Sequence, residues 1–203
     1  KIATRVLLDE KLKGMDLKSR LNHYAVKSVV FPFLKLKGTD ISLGPEMRST
    51  GETMGSGKDF ETAFYKALLG AGVKDERSLV FLSLKDEDKK RSSELKKKLE
   101  KLGFELIATP GTAEVIGCKS VPKIGKGKPD CLDMVSSGKV SLIINTPRKG
   151  GIAHTDGFRI RRTAIEKGIP CFTTLETALE WIKALEKIDK GKLDVREIRE
   201  YCQ

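Results

Sequence analysis

Two residue types recur in one part of this chain at spacings that suit a bound anion. Thr109 and Thr112 flank Pro110 and Gly111 at the end of an apolar run, and Lys85, Lys89 and Lys123 lie on either side of them. Residues 104–108, Phe-Glu-Leu-Ile-Ala, predict a short buried strand, and residues 113–116 predict the start of a helix. Such a strand-to-helix turn offers a phosphate two hydroxyls and backbone N–H groups that carry partial positive charge. The same threonines also suit a plainer role, capping the helix and shaping the turn. The segment alone leaves both readings open.

From residue 78 onward the elements that must position these groups alternate regularly. Residues 79–84, 104–108, the extended piece through Val121, 140–144 and 169–172 read as strands. Between and after them, helices are expected at 86–102 (Leu95, Leu99 and Leu102 inward), from Ala113, at 130–137, at 158–167 and at 174–188. Strands joined by helices of this length imply right-handed crossovers. The expected fold class is therefore α/β: a doubly wound, Rossmann-like parallel sheet of five strands with helices on both faces. Ligands of such sheets sit beyond the carboxyl ends of the strands. The residues at those ends are Ser83 and Lys85, Thr109 and Thr112, Asn145 and Thr146, and Thr173 and Thr174. All are small and polar or basic, so their agreement predicts a pocket for an anionic, hydrogen-bonding small molecule.

The first third reads differently. A helix over residues 1–12 carries Ile2, Val6, Leu7 and Leu8 on one face, and residues 26–31 predict a strand closed by Pro32. Residues 37–57 are rich in Gly, Ser, Thr and Pro and predict an ordered functional loop anchored by Leu43, Met47 and Met54. Asp59 should cap a helix with Phe60, Ala63, Phe64, Ala67 and Leu68 on one face, stopped by Gly70, Ala71 and Gly72. The expected organisation is a unit over 1–72, a linker over 73–77, the sheet domain over 78–190 and a helical tail over 191–203.

Composition narrows the function classes. The formal net charge is +11, which favours acidic partners. Yet 33% of residues are charged with both signs mixed, and aromatics are only 6%, so stacking platforms for single strands are sparse. An anionic small ligand is expected rather than nucleic acid. No run approaches the ~20 apolar residues of a membrane span and no signal peptide is visible, so no membrane partner is expected. Cys118, Cys131, Cys171 and Cys202 lack CxxC spacing, and only His23 and His154 could join them. Neither a metal site nor a disulfide framework is expected, and reduced thiols in a cytoplasmic protein fit better.

Val29-Val30-Phe31-Pro32-Phe33, then Leu43-Gly44-Pro45-Glu46-Met47-Arg48-Ser49-Thr50-Gly51-Glu52 and Met54-Gly55, resemble the carbamoyl-phosphate synthetase large-chain family near the end of its second ATP-grasp domain. From Ser78 the chain resembles that family's regulatory domain, which shares the methylglyoxal-synthase-like fold. The resemblance implies a partial α+β ATP-grasp segment followed by an allosteric domain. That domain would bind a nucleoside monophosphate, uridine monophosphate as inhibitor or inosine monophosphate. Phosphate contacts would fall on Lys89, Thr109, Thr112 and Lys123, with Ser83, Asn145, Thr146 and Arg148 also in the effector pocket. Leu43 and Thr173 match a second effector site, for ornithine, whose other positions depart from the pattern at Ser28 and Cys171.

The resemblance also implies a parent ligase that makes carbamoyl phosphate from bicarbonate, glutamine-derived ammonia and ATP, for pyrimidine and arginine biosynthesis. ATP with Mg or Mn would belong to that parent. Its metal carboxylates lie upstream of Lys1, so this chain is expected to hold no cofactor, no metal and no catalytic residue. Partners would be the remainder of the large chain, a glutamine amidotransferase small chain, the nucleotide effector and further copies in an oligomer. Two other readings are a methylglyoxal-synthase-like enzyme acting on a phosphate substrate and an oligomerisation module. Against the first, the loop that should hold the catalytic aspartate reads Gly125-Lys126-Gly127-Lys128-Pro129, with Asp130 just beyond.

Overall fold

A computed structural model describes residues 2–14, 22–30, 40–42, 51–147, 155–189, 193, 195–197 and 200. Helix α1 (Ile2–Leu7) is shorter than its apolar pattern suggests and buries nothing among the described residues. Strands β1 (Tyr24–Val30) and β2 (Gly51–Gly57) form an antiparallel pair, Tyr24 opposite Gly57 and Val30 opposite Gly51. The last third of the predicted glycine-rich loop is thus a strand, and Met54, expected as an anchor, is 58% exposed.

The glycines of β2 serve close packing. Helix α2 (Phe60–Gly70), capped by Asp59, lies on the pair, and a Cβ at Gly55 would stand 2.0 Å from the Ala63 carbonyl oxygen. Only a bare backbone fits there. Ala63 and Ala67 keep the helix side of the contact small. The other side of α2 sends Tyr65 and Leu68 into the main core, while Phe60 is left partly exposed. Residues 73–77 are pinned at the middle and the far end: the Tyr65 hydroxyl donates to Asp75, and Arg77 donates to the Leu185 carbonyl.

The remaining elements are β3 (Leu79–Ser83), α3 (Asp86–Lys89), α4 (Ser92–Lys101), β4 (Glu105–Ala108), α5 (Pro110–Ile116), β5 (Lys119–Ser120), α6 (Cys131–Ser136), β6 (Val140–Asn145), α7 (Asp156–Glu166), β7 (Cys171–Phe172) and α8 (Leu175–Lys187). Their five strands form one parallel sheet in the order β5-β4-β3-β6-β7. The chain enters at the central β3, steps outward to β4 and β5, then returns past β3 to β6 and β7. The order reverses between β3 and β6.

Both faces of the sheet are covered, which is why the central strands are continuously apolar. Val80 and Leu82 pack with Leu95, Leu99, Trp181 and Ile182 on one face. Phe81 and Ile143 pack with Val135, Ile160 and Ala164 on the other. Tyr65 of α2 stacks on Trp181 of α8 with ring centroids 5.2 Å apart. Among the described residues, no helix is long and apolar enough to cross a membrane.

The single helix expected over 86–102 is two. Ser92 Oγ donates to the Lys89 carbonyl at 2.5 Å, and Arg91 leaves helical geometry. A serine hydroxyl competing for a backbone carbonyl breaks the ladder there, and Leu102, expected inside, is only partly buried. Of the expected helical tail, too little lies within the described residues to trace a helix.

Candidate functional site

The crevice outside β3 and β6 is where the strand order reverses, the usual ligand position in an open α/β sheet. A cleft of about 310 Å³ opens there. Ser83, Lys89, Thr109, Thr112, Lys123, Asn145 and Thr146 all line it, as does Lys85. They come from the ends of β3, β4 and β6, from α3 and α5, and from the loop before α6. Ser83 and Asn145 face each other as the last register pair of β3 and β6. Thr173, beyond β7, is not among the lining residues. Arg148 and Leu43 lie outside the described residues.

The two threonines of the turn differ. Thr109 stands at the N-cap position of α5, but its side chain makes no capping bond and donates to Thr112 Oγ1 at 3.2 Å. Thr112 is buried, and its hydroxyl oxygen also accepts from the Leu84 N–H at 3.1 Å. On the other side, Thr146 Oγ1 accepts from the Lys85 N–H at 2.9 Å. Thr112 therefore braces the exit of β3 as well as facing the cleft. Helix α5 has seven residues and starts with Pro110, which has no N–H. The anion reading thus rests on side chains more than on a helix dipole.

The lysines bring charge. Lys89 Nζ stands 2.6 Å from Asp86 and Lys85 Nζ stands 3.2 Å from Glu87, both pairs on the rim. The hydrogen bond to Glu87, with the charge of Asp88, raises the Lys85 pKa. Lys123 has no ion-pair partner among the described residues. Exposed pairs hold weakly, so a phosphate with better geometry can recruit the ammonium groups as charge-assisted donors.

The structure adds a cation that the sequence reading missed. Arg161 of α7 is 5% exposed and lines the cleft. Its Nη1 donates to Asn145 Oδ1 at 2.7 Å, its Nε donates to Asp40 Oδ1 at 2.7 Å, and its Nη2 reaches Asp40 Oδ2. Burial pushes the Asp40 carboxyl up, but the bonds and charge of Arg161 and the Ser42 N–H outweigh it, leaving the pKa below its ordinary value. In sequence Arg161 is one of three arginines at 159, 161 and 162, and only its burial beside Ile160 sets it apart.

Asp130 is occupied. Its Oδ1 accepts from the Leu132 and Asp133 N–H groups and its Oδ2 from Gly125 N–H, within a capping box at α6. These bonds hold its carboxyl below the usual value, the opposite of a base tuned for neutral pH. Cys131 also lines the cleft, but burial pushes its thiol up to about 11, so it is no thiolate at neutral pH. Among the described residues no His, Cys, Asp or Glu cluster is placed to hold a metal ion. The arrangement therefore offers recognition of an anion through cations, hydroxyls and an amide.

Comparison with known proteins agrees with the fold. Residues 92–173 match the family model of the MGS-like domain. Over 99% of its length the chain is 43% identical to the carbamoyl phosphate synthase large chain of Archaeoglobus fulgidus, covering 19% of that protein. It is 41% and 40% identical to the large chains of Methanothermobacter thermautotrophicus and Methanobrevibacter smithii, again over 99% of its length and covering 20% of each. The chain matches the C-terminal portion of carbamoyl phosphate synthase large chains and carries an MGS-like domain. It spans about a fifth of the length of the curated relatives it matches. The MGS-like match runs from the first residue of α4 to just beyond β7. It includes Thr109, Thr112, Lys123 and Asn145, while Ser83, Lys85 and Lys89 precede it.

Proposed function

We propose that this chain is the regulatory region of a carbamoyl phosphate synthase large chain. Its MGS-like domain binds a nucleoside monophosphate, of the uridine or inosine type, between β3 and β6. Binding modulates ATP-dependent synthesis of carbamoyl phosphate from bicarbonate and glutamine-derived ammonia elsewhere in the enzyme. Coupling of this kind is worth ~1–3 kcal/mol. The elements β1, β2 and α2 belong, on this reading, to the end of an ATP-grasp domain, and α2 joins that domain to the regulatory one. The remainder of the large chain and a glutamine amidotransferase small chain complete the enzyme.

The observation that carries the reading is the convergence of Lys85, Lys89, Lys123 and Thr109 on one cleft at the switch point. Its volume of about 310 Å³ sits at the small end of ligand pockets. Calorimetric titration with uridine monophosphate, inosine monophosphate and plain uridine tests it. Binding of a monophosphate and not of uridine, weakened by Lys123→Ala, is expected. Failure of both monophosphates to bind would sink the reading.

A further inference from the structure

Asn145 presents an unusual surface to the cleft. It is 2% exposed, and its Nδ2 has no hydrogen-bond partner among the described residues. Its oxygen is not free to turn inward. A guanidinium carries five donors and no acceptor, so the atom facing Arg161 must be the amide oxygen. The N–H2 group then points the other way. A Cβ at Gly157 would stand 3.5 Å from the amide oxygen and 3.7 Å from this nitrogen, and both residues line the cleft. Buried N–H groups are costly when unpaired, and this one has no acceptor among the described residues.

Arg161 is itself fixed from outside the sheet domain. Asp40 comes from the stretch between β1 and β2, 121 residues earlier, and grips Nε and Nη2 with its two oxygens. A two-point carboxylate–guanidinium pair fixes the plane of the guanidinium as well as its position. The Ser42 N–H donates to Asp40 Oδ1 at 3.1 Å and orients the carboxylate in turn.

We infer that Asp40 is a positioning residue for the cleft: by clamping Arg161 it locks the Asn145 amide with its N–H2 group toward the ligand. The site so defined selects a ligand with a hydrogen-bond acceptor at that point, a phosphate oxygen or a ring carbonyl, and disfavours an ammonium. It also makes Asp40, which precedes β2 in the chain, part of the binding site. The clamp rests on the geometry of these three residues; only the identity of the ligand rests on the nucleotide reading.

Two measurements on the 203-residue chain test this. The first needs no ligand. In a ¹⁵N-labelled sample, the Asn145 side-chain amide pair is assigned by its loss in Asn145→Asp. Asp40→Asn and Arg161→Lys should each move that pair. Glu52→Gln, which breaks the Lys27–Glu52 ion pair on the same small sheet, should not. An Asn145 pair that stays in place in both clamp variants overturns the inference.

The second is titration with uridine monophosphate. Asp40→Asn and Asn145→Asp should each weaken binding about tenfold, and the double variant should be no weaker than the worse single one. Additive losses, or wild-type affinity in Asp40→Asn, would also overturn it. If the wild type binds no nucleotide, the nucleotide reading fails by itself, and the ligand-free spectra still decide the clamp.

Discussion

Thr112 and Thr146 grip successive backbone groups at the exit of β3. Thr112 Oγ1 accepts from the Leu84 N–H and Thr146 Oγ1 from the Lys85 N–H. One threonine comes from α5 and the other follows β6, so the two flanks of the cleft are tied to the same dipeptide. The spacing between the Lys85 ammonium and the Thr109 turn depends on this brace.

Thr112→Val keeps the shape and removes the acceptor. It leaves the buried Leu84 N–H unpaired, so a loss of ~1–3 kcal/mol in stability is expected. Thr112→Ser, which retains the oxygen, should stay near wild type. Denaturant titration of both variants checks this, and equal stability of Val and Ser at this position would count against the brace.

Lys123→Ala should behave oppositely. With no ion pair to break among the described residues, its melting temperature should be unchanged. Its affinity for uridine monophosphate should fall by about tenfold or more, the worth of one charge-assisted bond. The wild-type affinity should also drop as salt is raised, because the contact is ionic. A Lys123→Ala variant that binds normally would move the phosphate elsewhere in the cleft.

Asp40 gives a pH dependence with a definite sign. Its pKa in the folded chain lies below the ordinary 3.8. A depressed carboxyl contributes stability that is fully present above its unfolded value and fades as pH falls through its folded value. The stability difference between wild type and Asp40→Asn should therefore be constant from neutral pH down to about 5, where an unfolded aspartate is still ionised. It should shrink progressively below pH 4. Melting curves across that range test the sign; a difference that grew on acidification would contradict it.

Gly55→Ala tests the join between the small sheet and the main core. The new Cβ would stand 2.0 Å from the Ala63 oxygen and 2.4 Å from the Ala67 nitrogen. Helix α2 must move, at a cost of ~1–3 kcal/mol. Because Tyr65 on that helix stacks on the only tryptophan, the fluorescence of Trp181 should change with it. Unaltered fluorescence and stability would mean that α2 does not bear on β2 as described.

Much of the fold was legible because its causes are local. Apolar runs marked β3 and β6, and Asp59 marked the start of α2, where its side chain accepts from the Thr62 N–H; Asp130 and Thr174, the first residues of two expected helices, accept in the same way from N–H groups two or three residues on. Such signals act over a few residues and survive in a string of letters. The break between α3 and α4 was missed, although its cause, the Ser92 hydroxyl on the Lys89 carbonyl, is equally local. A serine in the charged run of residues 85–101 looks the same whether it faces solvent or turns inward.

By itself, then, the sequence determined the alternation that makes a doubly wound sheet, and with it the strand ends where polar side chains must gather. Only the tertiary structure decided which groups those side chains bond. Thr112 and Thr146 became braces because β3 ends between them. Gly55 stands in a strand with a helix backbone against it, where composition alone suggested a loop. Arg161 of α7 lines the cleft and meets Asp40 across 121 residues of chain. Periodicity reports which face of an element is buried, whereas a hydrogen bond between distant residues exists only once the elements have docked and their spacing is fixed.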